Sequence, residues 1–299
     1  MFIFKSYHTN HLRVLIIILV FTATSYVNSQ TILPSFAGAH QKKSLWSPST
    51  ESSLIAWWDA SDVSTLTGDP TVTQMTSKKG SFTLTGVNTP NRTTINSLTA
   101  INFIRTGNEK MLTSGLNFNI SDGNIIIVGA VVIDAVSHQK AAIWSIRDDN
   151  GPNNDIHLRA GNNSQFDGAF ETEGLGSSGN NLAGGATQNF SGGPFSGNVI
   201  HSSIMDADNN DIYGRMNGVQ RIGISGEYLT NVEMTNSVFL IHSNRSENRE
   251  LDGQFMELMI FNSNDTNIAI KAEGYLAHKW GLSGDLPDSH IYKTSAPTD

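Results

Sequence analysis

The chain has 299 residues, no cysteine and a formal net charge of −8 at pH 7. An acidic surface repels nucleic acid and anionic membranes, and the missing cysteines exclude disulfides, a thiol nucleophile and a lipidated anchor residue. What remains is a chain that must hold itself together by packing, and it is long enough to bury one large core.

Residues 1–29 have the layout of an export signal. Lys5 and Arg13 precede an apolar run over 14–21, and Val27-Asn28-Ser29 places small residues before Gln30. That run is well short of the roughly 20 residues needed to cross a bilayer. The chain is therefore expected to be secreted to the extracellular space, with the periplasm or cell surface as variants, and not inserted in a membrane once the signal is removed. Losing Lys5 and Arg13 takes the net charge from −8 to −10. Residues 30–50, polar and Ser-rich with Pro34 and Pro48, are expected to be a linker, and 51–299 to form one domain.

Short β-type runs then alternate with Gly, Asn and Asp clusters. The first, 54–58, contains Trp57 and Trp58, which a strand sends to opposite sides. Runs at 72–75, 82–84, 100–104 and 125–133 follow; the last reads IIIVGAVVI and belongs in the middle of a sheet. Further runs fall at 141–146, 156–158, 199–205, 212–216, 228–229 and 238–242. The final strand, 255–261, is almost wholly apolar with Glu257 as its only charge. Ser263, Asn264 and Asp265 are helix-capping residues, and Ile268, Ala272, Tyr275, Leu276 and Trp280 then form one apolar stripe. Gly281 suits a left-handed C-terminal position, and Pro287 blocks any restart. His278 and Lys279 lie off the stripe and read as a solvated face. The pattern predicts an all-β fold: two antiparallel sheets in a jelly-roll sandwich with one C-terminal helix. A parallel α/β fold would need crossover helices, and none is visible.

Three segments resemble a known family. EGYLAHKWGLSGDLPDSHIYKTSAP at 273–297 is similar to the closing signature of laminin G-like, concanavalin A-type jelly-roll domains. LIAWWDASDVSTLTGDPTVTQMTSKKGSFTLT at 54–85 resembles their opening, and INFIRTGNEKML at 101–112 resembles an internal strand. Ile291 stands where that family commonly has proline. The resemblance implies the sandwich fold, which hosts lectins, glycosidases, adhesins and inert spacers alike.

Hydrolases of that resemblance use two carboxylates on one strand. The nearest pattern here is Glu250-Leu251-Asp252-Gly253-Gln254, where Gln254 cannot donate a proton and Gly253 suggests a solvated turn. No nucleophile elbow, zinc helix or phosphate loop is present, so no enzyme activity is expected. Asp148, Asp149, Asn154 and Asp155 form a loop cluster whose oxygens suit calcium. Asp206, Asp208 and Asn210 copy the start of a calcium loop, but Asp211 and Asn217 occupy its glycine and glutamate positions, which favours a plain hairpin turn. Sugar binding uses aromatic faces beside planar polar groups, and Asp155, His157, Arg159, Phe166, Phe170 and Phe190 supply these around a Gly/Ser/Asn-rich stretch at 161–198. Packing beneath their own loop is the competing use of those aromatics. The expected function is a secreted, non-catalytic recognition module for a glycan or surface polymer, with the loops over 148–198 as its binding edge. The alternatives are a structural or adhesive protein of a cell surface or virion, and a glycoside hydrolase.

Overall fold

The computed structural model describes residues 43–116, 118–119, 123–135, 141–148, 155–160, 169–173, 188–189, 196–225, 233–234, 237–243 and 250–299. In chain order the strands are β1 (Leu54–Asp59), β2 (Leu66–Thr67), β3 (Gln74–Thr76), β4 (Thr83–Val87), β5 (Asn91–Ile95), β6 (Leu98–Phe103), β7 (Lys110–Ser114), β8 (Phe118–Asn119), β9 (Ile125–Ala135) and β10 (Ala142–Asp148). There follow β11 (Asp155–Arg159), β12 (Ala169–Glu173), β13 (Gln188–Asn189), β14 (Gly197–Asp206), β15 (Asp211–Met216), β16 (Val219–Ser225), β17 (Glu233–Met234), β18 (Ser237–Ile241) and β19 (Asp252–Phe261). A single α-helix among the described residues, α1 (Thr266–Lys279), comes last.

The strands pair antiparallel in two large sheets. One runs β16-β15-β14-β9-β19-β6-β5, with β1 also paired to β19; the other runs β13-β12-β11-β10-β18-β7-β4-β3-β2. A small ribbon joins β17 to β8. The fold is thus a two-sheet sandwich with one C-terminal helix, as the sequence pattern predicts. The apolar run in β9 is central because it is buried on both faces. Ile125, Ile127, Val131 and Ile133 face the second sheet, while Ile126, Val128 and Ala130 face the helix layer. The same alternation sends Trp58 into the inter-sheet core and Trp57 under the helix.

Helix α1 opens on Asp265, whose side chain accepts the Asn267 amide at 2.9 Å. It ends where Gly281 takes φ +70 and the Leu282 amide returns to the Ala277 carbonyl at 2.7 Å. Ala269, Ala272, Leu276, Ala277 and Trp280 are buried against the eight-stranded sheet. Lys279, however, is not on a solvated face: it reaches down beside the helix to two carboxylates. His278 donates from Nε2 to the Tyr292 carbonyl at 2.8 Å, so it holds the tail. His278 found its partner because the C-terminal tail folds back over it, and Lys279 because β1 and β19 bring carboxylates beneath the helix.

Several expectations are corrected. Glu250 is fully buried and pairs with Lys110 at 3.0 Å, and Gly253 lies inside β19 at an irregularity in its pairing, so this stretch is not a solvated turn. The compact unit spans Leu45–Pro297, and Trp46, inside the stretch expected to be a linker, is buried in the helix-side core. β5, β12 and β16 carry polar residues and glycines that hid them from a search for apolar runs. The run expected at 228–229 lies outside the described residues. In the other unit, 1–44 with Thr298–Asp299, Ser44 Oγ donates to Asp299 Oδ2 at 2.6 Å.

Candidate functional site

At one end of the nine-stranded sheet, register collects charged positions on the face turned away from the core. Ile156 and Leu158 of β11 belong to the inter-sheet core, so Asp155, His157 and Arg159 occupy the opposite face. Pairing sets Arg147, Asp155 and Glu173 in one row across β10, β11 and β12. Ser145, His157 and Glu171 form the next row. Three acidic positions, two arginine positions and a histidine therefore share a small area of sheet. Arg147, Glu171 and Glu173 went unseen in the sequence, although the alternation in AFETE of β12 is a strand signal.

His157 and Arg159 meet directly: Arg159 Nε donates to His157 Nε2 at 2.6 Å. Both are fully buried. As arranged they are a packed pair on this face and not open donors for sugar hydroxyls. Phe170 pairs in register with Leu158. Asp148 and Asp155 stand at the two mouths of the β10–β11 hairpin. Asp149, Asn154, Phe166 and Phe190 lie outside the described residues, so the proposed calcium loop and two of its neighbouring aromatics do too. Among the described residues no group of three or more His, Asp or Glu side chains is arranged to hold a metal. The Asp206–Asp211 segment is a hairpin turn between β14 and β15, as its residues favour. Its carboxylates are occupied by amides: Asn264 Nδ2 donates to Asp206 at 3.0 Å and to Asp208 at 3.1 Å.

The segments quoted for the family resemblance at 54–85 and 273–297 converge on one buried lattice. β19 carries a bulge at Met256, because Phe255 pairs with Val131 while Glu257 pairs with the adjacent Ala130. The extra residue turns Glu257 toward the helix layer. There it accepts Trp57 Nε1 at 2.7 Å, Trp280 Nε1 at 2.9 Å and Lys279 Nζ at 2.6 Å. Lys279 also reaches Asp59 at 2.7 Å, and Lys78 bridges Asp59 and Asp62 at 3.1 and 3.0 Å. Burial opposes the charge on Asp59, but Lys279 and its hydrogen bonds outweigh it and hold its carboxyl below the ordinary value. Burial and the charge of Asp59 push Glu257 up, against the opposing pull of Lys279. Two acids with opposed shifts often mark acid–base chemistry. Here Glu257 is 0% and Asp59 2% exposed, so no substrate reaches them and the lattice anchors the helix.

A cleft of about 200 Å³ opens beside it, bordered by Leu45, Trp46, Tyr275, His278, Lys279 and Pro297. It is smaller than the roughly 300–1,000 Å³ usual for ligand pockets.

No family model and no curated protein matches the sequence. Solved structures do match the fold. A mutant of Trypanosoma rangeli sialidase displaying trans-sialidase activity aligns with TM-score 0.52 at 9% identity, over 79% of this chain and 34% of that one. The binding domain of botulinum neurotoxin DC in complex with SialylT aligns with TM-score 0.50 at 12% identity, over 73% and 50% of the two chains. Domain 4 of the Geobacillus stearothermophilus arabinanase AbnA, in complex with arabinotriose, gives TM-score 0.49 at 14% identity, over 74% of this chain and 97% of that domain. At these identities the likeness is one of fold.

Proposed function

We propose that this chain is an exported carbohydrate-recognition module of the laminin G-like, concanavalin A-type class, binding without chemistry. The observation that supports it is the register across β10–β12, which sets the positions of Arg147, Asp155, Glu171 and Glu173 next to one another on one face of the sheet. Carboxylates and guanidinium groups are the planar partners that sugar hydroxyls take. A similar fold is found in the binding domain of botulinum neurotoxin DC in complex with SialylT. The ligand is a glycan or surface polymer, met outside the cell. A calcium ion at 148–155 belongs to the same reading, as a bridge between protein and sugar oxygens. A glycan array, followed by titration of the hits, tests it. Binding that falls at least tenfold on Glu171→Ala or Arg147→Ala supports this face, and arrays that stay blank with and without calcium remove the reading.

A second reading, glycoside hydrolysis, is favoured by one specific observation: Glu171 and Glu173 alternate on one strand with Asp155 opposite Glu173. Two carboxyls about 5–9.5 Å apart are what that chemistry requires. Release of reducing ends from a polysaccharide panel, abolished by Glu171→Gln or Glu173→Gln, would put hydrolysis first.

A further inference from the structure

The inner wall of the eight-stranded sheet has a polar interruption. On β14 the residues facing the second sheet are Val199, His201, Ser203 and Met205, and all are buried. Register sets His201 beside Gly129 of β9 and Met216 of β15, and Ser203 beside Ile127 and Gly214. Two glycines thus stand next to two polar residues. A Cβ at Gly129 would lie 2.6 Å from His201 Nε2 and 3.0 Å from the Glu257 carbonyl oxygen, so the imidazole fills the room that glycine leaves. Among the described residues neither ring nitrogen of His201 has a hydrogen-bond partner, and neither does Ser203 Oγ. The inward residues of β9, β15, β19 and β1 around it are apolar or glycine: Ile127, Gly129 and Val131; Met216; Leu258; and Trp58.

We propose that this recess is an acid-sensitive switch: a proton taken up at His201 finds no counter-charge among the described residues between the sheets, so mild acid opens the sandwich. Two ionisable groups act on His201. His242 is fully buried in the same interior, with its ring stacked on Phe103 at 4.5 Å and its Nε2 without a partner. Glu273 lies beyond the sheet, where Ser202, Arg215 and His290 already engage it. Charging His242 repels a proton on His201, whereas Glu273 attracts one. Burial dominates and lowers His201 from 6.5 to about 3, and burial lowers His242 to about 4.

The sign follows from which state holds the proton. The unfolded chain binds protons at its histidines near pH 6.5, while the folded chain refuses them. Stability is therefore complete above pH 6.5 and falls as the pH drops toward 4. The folded-to-unfolded ratio falls by up to about tenfold per pH unit for each histidine. Melting curves of the full chain between pH 5 and 8 test this alongside His201→Leu. The native chain should hold its melting temperature above pH 7 and lose it steadily below 6.5, and the variant should lose it less steeply by the equivalent of one proton. An unchanged slope in the variant overturns the proposal. Ring titration by NMR on the native chain is the independent arm, and it decides alone if the variant does not fold. Two histidine rings should keep constant shifts until the protein opens; all rings titrating near 6.5 in the folded state would refute it.

Discussion

Glu257 is a carboxylate inside a protein wall, and what surrounds it decides what a substitution does. Its oxygens take two indole N–H groups and the Lys279 ammonium, and Lys279 in turn neutralises Asp59. A buried ion pair contributes little net stability over a well-packed apolar replacement, but removing one partner strands the other. Lys279→Met should therefore cost roughly 3–5 kcal/mol in urea unfolding. Adding Glu257→Gln to that variant should return part of the loss, because a neutral amide does not miss the cation. A single variant within 1 kcal/mol of the native chain, about the level of an exposed pair, would show the lattice to be solvent-screened. None of this could be read from the residues. Glu257 looked like one charge in an apolar strand, because a bulge that turns it toward the helix leaves no mark in composition. Lys279 looked solvated because its partners come from β1 and β19, nearly two hundred residues apart in the chain.

At the scale of elements, helix α1 was legible and its contacts were not. The stripe ending in Trp280, a cap within Ser263–Asp265 and the stop at Gly281 all follow from local rules, and the structure settles the cap on Asp265. Gly274 does not: mid-helix glycine costs about 1 kcal/mol relative to alanine, so propensity alone recommends replacing it. Yet a Cβ there would lie 2.5 Å from Tyr292 Cβ in the returning tail. Gly274→Ala should accordingly destabilise by about 1–3 kcal/mol despite the better helix former, through overpacking. Thermal unfolding of Gly274→Ala, with and without Tyr292→Gly, which removes the opposing Cβ, separates the effects. The double variant should recover the propensity gain, and a stabilised single variant would show that the tail yields freely. The acidic row of β11 and β12 shows the complementary limit. Asp155 was visible in its loop, but Glu171 and Glu173 became its neighbours only through strand pairing across a stretch with no readable pattern.

For the whole molecule, the closing segment is structural rather than an appendage. Leu286 and His290 are buried at 2% and 7% exposure and pack over Gly218, in the turn between β15 and β16. A side chain at Gly218 would lie 2.7 Å from the His290 ring. From there His290 Nε2 reaches Glu273 at 3.1 Å, while Arg215 holds the same carboxylate from β15 at 2.7 Å. The tail thus ties the helix to a hairpin at the opposite edge of the sheet from β1, where Lys279 and Lys78 tie it again. Two anchors at separate edges fix the helix against rotation, which the inter-sheet core, on the other side of the wall, cannot do. Cutting the chain after Leu282 tests that division. Removing Leu286 alone forfeits about 1.5–3 kcal/mol of burial, and Glu273 loses His290 while keeping Arg215 and Ser202. The truncated chain should retain the β-sheet circular dichroism of the full protein while its urea midpoint falls and the helix signal weakens. A truncation that leaves the midpoint unchanged would mean that the sandwich positions its helix without the tail.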